Sequence, residues 1–240
     1  MKIALIIYTL LKHNLKKYFF EKKDTMSSFL NAQRQIIKIA FINIFLLLAI
    51  NSQVAAEINF KPLFENPERD LSLKLLDVMP ELNTLSVGND DASNIIIEFI
   101  DYNCGYCKKI HTELMEITEE ADVKLYFFQF PILSKTSKLY SRTVLAVALQ
   151  NINKAVDVHH AMMTVSGSLT ENKVNGILKN NEVNLNQFAI DMQGAELDEM
   201  LEVSYYLAKK IGGKGTPTLV INNQVVPGYI PKNTILDMLK

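Results

Sequence analysis

The segment Ile95-Ile-Ile-Glu-Phe-Ile-Asp-Tyr-Asn-Cys-Gly-Tyr-Cys107 joins a short apolar run to a closely spaced pair of cysteines. Its first six residues are almost all apolar, which is typical of a central strand buried on both faces of a parallel sheet. Asn103 can cap a helix, and residues 104–119 follow a helical pattern. A second β-type run occupies residues 123–130. Strand, helix and strand in this order predict a βαβ unit.

The chain on either side of this unit extends it into a mixed α/β pattern. A short strand is predicted at residues 82–87, and a helical block at residues 134–211 ends before two glycines. Two further strands at residues 218–222 and 224–226 are close enough to form an antiparallel hairpin, and a last helix follows at residues 232–240. The predicted order is therefore β, β, α, β, a helical block, β, β, α.

Both cysteines of the chain lie in Cys104-Gly-Tyr-Cys107, where a buried strand is predicted to end and a helix to begin. A thiol attacks a disulfide as the thiolate, and the amino end of a helix favours negative charge. We therefore expect a lowered pKa for Cys104, which would attack the substrate. The more buried Cys107 would then resolve the mixed disulfide.

Three other interpretations of the cysteine pair are open: a structural disulfide, half of a metal site, and two inert thiols. A ring this small adds little stability. A zinc site needs two more ligands, for which His111 is the candidate one helical turn away. His159 and His160 lie on a predicted helix, where packing is favoured over metal binding. The sequence therefore favours redox chemistry, with no metal and no cofactor.

The amino-terminal region has the pattern of an export signal. Two basic residues, Arg34 and Lys38, precede a 12-residue apolar run at residues 39–50, which is too short to span a bilayer as a helix. Small side chains at Val54 and Ala56 predict cleavage after Ala56. Export predicts an oxidising compartment, the periplasm, where a cysteine pair carries redox meaning.

Two alternatives are open for residues 1–56: an uncleaved membrane anchor and a buried helix. Met26 is a candidate initiator, because a signal peptide that began there would have conventional proportions. The sequence favours a cleaved signal peptide over both alternatives.

Composition and charge limit the classes of partner. Apolar residues make up 48% of the 240 positions and charged residues 21%, which excludes a disordered or collagen-like chain. The full chain has a net charge of −1. Removal of residues 1–56, with eight basic and two acidic side chains, leaves 17 basic and 24 acidic ones, a net charge of −7. Neither value favours nucleic acid as a partner.

Residues 96–109 resemble the active-site strand and helix of DsbA-type proteins, which have a thioredoxin fold. Phe130-Pro-Ile-Leu133 is similar to the strand end of that family, and Gly215-Thr-Pro-Thr-Leu-Val220 is similar to its cis-proline loop. The helical block lies where the family inserts a helical domain. The resemblance implies an α/β thioredoxin fold with an inserted helical domain. The resemblance implies a signal region at residues 1–56 and an amino-terminal lead-in at residues 57–81. It also implies a thioredoxin-fold domain in two pieces, at residues 82–133 and 212–240, and an insert at residues 134–211.

The resemblance also implies roles for individual residues. Pro217 would be cis, and Thr216 would pack against the Cys104 sulfur and offer backbone contacts to an extended substrate. Tyr106, between the cysteines, would join these two residues in substrate binding. Glu98 lies where the family keeps a buried acid, which could relay the proton of the second cysteine. Its apolar neighbours favour burial and a raised pKa, and a strand-edge glutamate facing solvent is the alternative.

The residues around the cysteines bear on the direction of the reaction. Strong oxidases of the family have Cys-Pro-His-Cys and a valine before the cis-proline. Gly105, Tyr106 and Thr216 are instead similar to disulfide isomerases and to proteins of the suppressor-of-copper-sensitivity type. The absence of the histidine should leave the thiolate less stabilised and the protein less oxidising.

We expect a periplasmic thiol–disulfide oxidoreductase that promotes disulfide formation in exported cysteine-containing proteins, with isomerase or reductase as the alternative. The implied membrane partner is a quinone-linked oxidase for an oxidant, or a membrane electron donor for a reductant. A second alternative is a non-catalytic thioredoxin-like surface protein or chaperone that binds peptides. The intact cysteine pair argues against that second alternative.

Overall fold

The computed structural model describes residues 69–240. The predicted signal peptide, its cleavage site, the candidate start at Met26 and residues 57–68 of the lead-in lie outside the described residues. The strands are β1 (Leu85–Gly88), β2 (Asn94–Ile100), β3 (Val123–Gln129), β4 (Thr218–Ile221) and β5 (Gln224–Pro227). The helices are α1 (Leu71–Leu76), α2 (Gly105–Glu120), α3 (Lys135–Gln150), α4 (Ile152–Met163), α5 (Glu171–Asn180), α6 (Leu185–Asp191), α7 (Glu196–Lys210) and α8 (Lys232–Asp237). Within residues 69–240, none of the helices has the length and apolar character needed to cross a membrane.

The five strands form one sheet in the order β1-β3-β2-β4-β5. Strands β2 and β3 are parallel, and the other neighbouring pairs are antiparallel. The predicted βαβ unit and carboxy-terminal hairpin are therefore confirmed. The register places Glu98 of β2 opposite Phe127 of β3 and Leu219 of β4. The apolar run that predicted a central strand thus forms β2, in the middle of the sheet.

Apolar side chains cover both faces of the sheet. On one face, Ile96 of β2 belongs to a buried cluster with Leu114 of α2. On the other face, Phe99 belongs to a second cluster with Leu207 of α7, and α1 contributes to the same cluster. Because side chains alternate along a strand, Glu98 shares the face of Ile96 and lies on the side of α2. The sheet thereby brings this carboxyl group to the helix that carries the cysteines.

Helices α3–α7 occupy the position of the predicted helical block, between β3 and β4. Leu145 of α3 packs with Leu197 and Leu201 of α7, and Arg142 Nη1 lies 2.8 Å from Asp198 Oδ1 across the same pair of helices. Polar side chains accept backbone N–H bonds at the amino ends of four of these helices: Ser134, Asn151, Thr170 and Asn184. The boundaries of a separate inserted domain at residues 134–211 stay a prediction.

The prediction of Asn103 as the N-cap of α2 is wrong. The cap is Cys104, and the helix starts at Gly105. The Asn103 side chain is engaged elsewhere, because its amide donates to Ser134 Oγ and to Ser137 Oγ at 2.9 Å each. The asparagine thus ties the start of α2 to the start of α3, which a local capping pattern does not reveal.

The start of β1 also differs from the prediction. A 3₁₀ helix, Glu81–Asn83, takes the first positions, so the strand begins at Leu85 rather than at residue 82. The buried Asn83 amide donates to Met200 O at 3.2 Å, which ties this turn to α7. The last helix ends earlier than predicted, at Asp237.

Candidate active site

The two cysteines lie at the amino end of α2, directly after the central strand. Cys104 Sγ accepts the backbone N–H of Cys107 at 3.3 Å, so the sulfur itself caps the helix. Both are free thiols, and the exposed fraction is 5% for Cys104 and 0% for Cys107. This geometry agrees with the expectation that the second cysteine is the more buried one.

A buried carboxylate holds the turn that leads into the cysteine pair. Asp101 Oδ1 accepts the N–H of Asn103 at 2.8 Å, and Oδ2 accepts the N–H groups of Ile132 and Leu133 at 2.9 Å each. The backbone oxygen of Asp101 accepts the N–H of Cys104 at 2.9 Å. Asp101 therefore fixes the active-site turn against the segment after β3. Asp101 was not predicted as a site residue, although an aspartate that follows a strand is a common turn signal.

The loop before β4 lies against the Cys104 sulfur. The Thr216–Pro217 peptide bond is cis, as the family resemblance implied. The Cys104 thiol donates to Thr216 O at 3.2 Å. The Thr216 hydroxyl is buried and makes no hydrogen bond of normal geometry within the described part of the chain. It is nevertheless close enough to the sulfur to lower the pKa of Cys104. The structure thus brings Thr216 and Pro217 to the cysteine pair.

The environment moves the pKa values of the two thiols apart. The pKa of Cys104 falls to about 6, chiefly through the Cys107 side chain, with further help from the Thr216 side chain and backbone N–H groups of α2. Burial opposes this shift. The pKa of Cys107 rises well above its usual value, because of burial first and then because of Cys104 and Glu98. At neutral pH the first sulfur is therefore a thiolate and the second a thiol.

Glu98 is completely buried behind the cysteine pair. Burial raises its pKa well above the usual range, the charge on Cys104 raises it further, and the Cys107 thiol opposes this rise. Neither carboxyl oxygen has a hydrogen-bond partner of normal geometry among residues 69–240. The predicted burial and raised pKa are confirmed, and the solvent-facing alternative is wrong. The role of Glu98 in moving the Cys107 proton stays a prediction.

Tyr106 lies at the surface beside Cys104. Its side chain is 63% exposed, and its ring stacks on Tyr229 with centroids 6.1 Å apart. The Tyr229 hydroxyl donates to Glu113 Oε1 of α2 at 2.7 Å. Tyr229 follows β5 and carries no pattern that marks it in the sequence, so the sequence analysis did not identify it.

Two buried histidines, His111 and His159, and the exposed His160 form a cluster between α2 and α4. His111 Nε2 lies 3.0 Å from His160 Nδ1, and the Tyr102 hydroxyl lies 2.8 Å from His159 Nδ1. Burial, and then His160, lowers the pKa of His111 to about 4, and burial lowers that of His159 well below its usual value. No group of three or more His, Cys, Asp or Glu side chains in the described chain is arranged to hold a metal ion. The cluster packs α4 of the helical block against the active-site helix.

The Cys104 thiolate and the Cys107 thiol are together sufficient for disulfide exchange with a substrate. A thiolate attacks, and a neighbouring thiol displaces the product, which is the chemistry of thiol–disulfide oxidoreductases with a thioredoxin fold. Residues 81–240 match the family model described as Thioredoxin. The chain belongs to the thioredoxin family, and within it to the DsbA-like thiol–disulfide oxidoreductases.

Relatives and a solved structure agree with this membership. A probable disulfide bond formation protein D from Bacillus anthracis is 24% identical over 152 residues, which cover 58% of this chain and 70% of the relative. A probable thiol:disulfide interchange protein DsbC from Bordetella avium is 36% identical over 84 residues, 35% of this chain and 29% of the relative. The thiol-disulfide exchange protein alpha-DsbA2 from Wolbachia pipientis is similar in structure, with a TM-score of 0.62 and 26% identity. That similarity covers 69% of this chain and 90% of the Wolbachia protein.

Proposed function

We propose that the protein promotes disulfide formation in exported cysteine-containing proteins, with the Cys104–Cys107 pair as the oxidant. The observation that carries this proposal is the lowered pKa of Cys104, about 6, at the amino end of α2. A stabilised thiolate favours the reduced form of the pair, and the pair then takes electrons readily from substrate thiols.

In this reaction the oxidised pair carries a Cys104–Cys107 disulfide. A substrate thiolate attacks Cys104 Sγ, forms a mixed disulfide and displaces Cys107 as a thiolate, which takes up a proton. A second substrate thiolate then attacks the substrate sulfur of the mixed disulfide, forms the substrate disulfide and releases the Cys104 thiolate. The substrate loses two electrons and the pair gains them. A quinone-linked membrane oxidase would remove them again.

Four other residues support this reaction. Glu98, buried beside Cys107 with a raised pKa, would supply or accept the proton of that thiol. Thr216 and Pro217 would offer backbone groups to an extended substrate, since the Thr216 carbonyl already lies at the reacting sulfur. Tyr106 is exposed at the same place and would contact the substrate. Because each of these residues can be replaced without removing a thiol, their effects are separable from loss of the pair.

We further propose a periplasmic location, with a signal peptide cleaved after Ala56. This part rests on the apolar run at residues 39–50 and on the small side chains before the cleavage position. Sequencing of the mature amino terminus should give Glu57. A terminus before residue 39 would contradict the proposal. The same reasoning from the family assigns residues 82–133 with 212–240 to a thioredoxin-fold domain and 134–211 to an insert.

The central experiment equilibrates the cysteine pair with glutathione buffers and measures the fraction reduced. An oxidant should show a reduction potential closer to that of DsbA, about −120 mV, than to that of thioredoxin, about −270 mV. In parallel, Cys107→Ser whose Cys104 is first linked to thionitrobenzoate should form mixed disulfides with reduced exported proteins, as the substrate thiolate attacks Cys104 Sγ and thionitrobenzoate leaves as the thiolate. Cys104→Ser treated in the same way should trap none. Trapping by the Cys104 variant alone would reverse the assignment of the two sulfurs.

Isomerase or reductase action is the second candidate, with a membrane electron donor in place of the oxidase. Gly105, Tyr106 and Thr216 favour it, because these residue types are similar to those of disulfide isomerases. The relative described as an interchange protein also supports it. Refolding of a scrambled disulfide protein separates the two functions, since an isomerase restores activity without a net change in the number of disulfides. A purely peptide-binding role, the third candidate, requires that alkylation of the pair leave all function intact.

A further inference from the structure

An exposed aromatic surface borders the reactive sulfur. The Tyr106 side chain is 63% exposed, although Cys104 and Cys107 on either side of Gly105-Tyr106 are buried. Its ring stacks on that of Tyr229 at an interplanar angle of 29°, and Lys109 Nζ lies 4.0 Å from the Tyr229 ring centroid. We call these three side chains, Tyr106, Lys109 and Tyr229, the aromatic ledge. Tyrosine is enriched at interfaces, because its ring is apolar and its hydroxyl is polar.

The ledge is held in place before any substrate arrives. The Tyr229 hydroxyl donates to Glu113 Oε1 at 2.7 Å, and the Lys109 cation covers one part of the ring. The preceding residue, Gly228, donates its N–H to Pro217 O at 2.8 Å, so the cis-proline loop anchors the backbone. Because the tyrosine ring is fixed from these directions, little side-chain entropy is lost when another ring packs on it.

The ledge is continuous with the site of exchange. The Cys104 thiol donates to Thr216 O, and the next residue, Pro217, is the one that anchors Gly228. A peptide cysteine bonded to Cys104 Sγ places its neighbouring residue about 3.8 Å further along the chain. Tyr106 is two residues from the reactive cysteine and is exposed, so its ring is available to that neighbour.

The ledge carries one exposed cation, Lys109, and contacts one carboxylate, that of Glu113. Lys109 is exposed, and Lys214, two residues before Thr216, is exposed as well. The nearest carboxylate on α2, that of Glu113, already accepts hydrogen bonds from the Tyr229 hydroxyl and from the Lys232 N–H at 2.8 Å. A carboxylate on a bound peptide would therefore be attracted to Lys109, the exposed cation of the ledge.

We propose that the aromatic ledge selects, among unfolded exported chains, cysteines that have an aromatic neighbour followed by an acidic residue. The substrate ring packs on Tyr106 and Tyr229, and the substrate carboxylate pairs with Lys109. This inference rests on the proposed function and names the class of segment that the exchange site prefers.

The test uses the full-length exported protein with Cys107→Ser, in which a mixed disulfide persists. The probes are short peptides whose single cysteine is disulfide-linked to thionitrobenzoate, with Phe-Asp, Ala-Asp, Phe-Lys or Ala-Lys next to the cysteine on either side. The Cys104 thiolate attacks the peptide sulfur, a new S–S bond forms, and thionitrobenzoate leaves as the thiolate. Mass spectrometry measures the rate at which the protein–peptide disulfide forms.

Peptides with phenylalanine should react about three- to tenfold faster than those with alanine, because one offset-stacked pair is worth about that ratio. Aspartate should add a smaller advantage of roughly two- to threefold, which declines at high salt. Tyr229→Ala should abolish the phenylalanine advantage, and Tyr229→Phe should keep it. Lys109→Gln should abolish only the aspartate advantage.

The control is Tyr205→Ala, which removes another exposed tyrosine, on α7 and 49% exposed. It should leave the phenylalanine advantage unchanged. The proposal would be overturned by equal rates for phenylalanine and alanine peptides, or by a phenylalanine advantage that survives in Tyr229→Ala. If Tyr229→Ala does not fold, Tyr106→Ala serves in its place with the same ratio as readout. Failure of every peptide to form a disulfide would instead contradict the proposed function.

Discussion

Cys104 caps α2 with its sulfur, a position that an oxygen of serine, threonine, aspartate or asparagine usually fills. The cap accepts the Cys107 N–H, and such a bond is stronger when the acceptor carries negative charge. A thiolate therefore fits this position better than the neutral sulfur of a disulfide. The single residue at the helix start thus links the local backbone to the redox preference of the pair.

Thr216→Val tests how the cis-proline loop contributes to this preference. The valine keeps the volume of the side chain and removes the hydroxyl that helps to lower the pKa of Cys104. We expect the pKa of Cys104 to rise by about one unit or less, since a hydrogen bond to a charged group is worth about 1.5–3 kcal/mol and solvent reduces this. The absorbance of the thiolate against pH measures the change.

The matched control for that variant is Thr118→Val at the far end of α2. Its hydroxyl donates to Met115 O at 2.7 Å, away from the sulfur. Thr118→Val should leave the pKa of Cys104 unchanged. Superimposable titrations of the wild type and Thr216→Val would mean that the threonine does not act on the sulfur.

Asp101→Asn tests the carboxylate that fixes the active-site turn. The amide can replace one carboxylate oxygen, but its NH₂ group then faces a backbone N–H that had an acceptor. We expect the free energy of unfolding to fall by about 1–3 kcal/mol, and exchange by Cys104 to slow, since a buried donor loses its partner. Urea unfolding measures the first effect. Asp157→Asn, which changes an exposed aspartate on α4, should leave stability unchanged.

At the scale of elements, the contact between α2 and α4 depends on imidazoles that are neutral. The pKa of His111 is lowered to about 4, whereas an unfolded histidine titrates near 6.5. Between these values the unfolded chain binds more protons than the folded protein, so stability falls as the pH falls. This group alone should remove on the order of 3 kcal/mol across the whole window.

The measurement compares the free energy of unfolding at pH 7 and at pH 5 in the wild type and in His111→Leu. The loss on acidification should be smaller in the variant. The raised pKa of Glu98 acts in the opposite direction, since protonation favours its buried form, but it is present in both proteins and cancels in the comparison. Identical pH dependence in the two proteins would show that His111 is not held neutral by this contact.

Elements that depend on neighbours in sequence could be predicted from local patterns. Contacts across the fold could not, except that the family resemblance implied the contact of Thr216 with Cys104. The apolar run before the cysteines predicted β2, and the spacing of the cysteines placed them on α2. The anchoring of Tyr229 to α2 joins residues 116 positions apart, and the bond between Tyr102 and His159 joins residues 57 apart. No periodicity or capping pattern records such pairs, because they arise only when the sheet has set the helices in place.

For the whole molecule, folding and redox state should be coupled through pH. In the reduced protein the pKa of Cys104 is about 6, below its usual value of 9.0, so the unfolded chain binds more protons between these values. The stability of the reduced form should therefore rise with pH across this range. In the oxidised form the thiol is absent and this rise should disappear. Solvent screening at the site leaves an effect on the order of 1–2 kcal/mol.

Denaturant unfolding of both redox forms between pH 6 and pH 9 measures this coupling. The difference in stability, reduced minus oxidised, should grow with pH. Above this range the raised pKa of Cys107 acts with the opposite sign, so the growth should cease. A difference that stays constant from pH 6 to 9 would contradict the lowered pKa of Cys104.

The two edges of the sheet, β1 and β5, are four residues long each. Strand β5 ends at Pro227, which has no N–H to offer, and β1 ends at Gly88, whose φ of 93° turns the backbone out of the strand. Edges this short and interrupted are poor templates for a further strand. A protein that meets many unfolded chains, as we propose for this one, would engage them at one loop without adding them to its sheet and seeding aggregates.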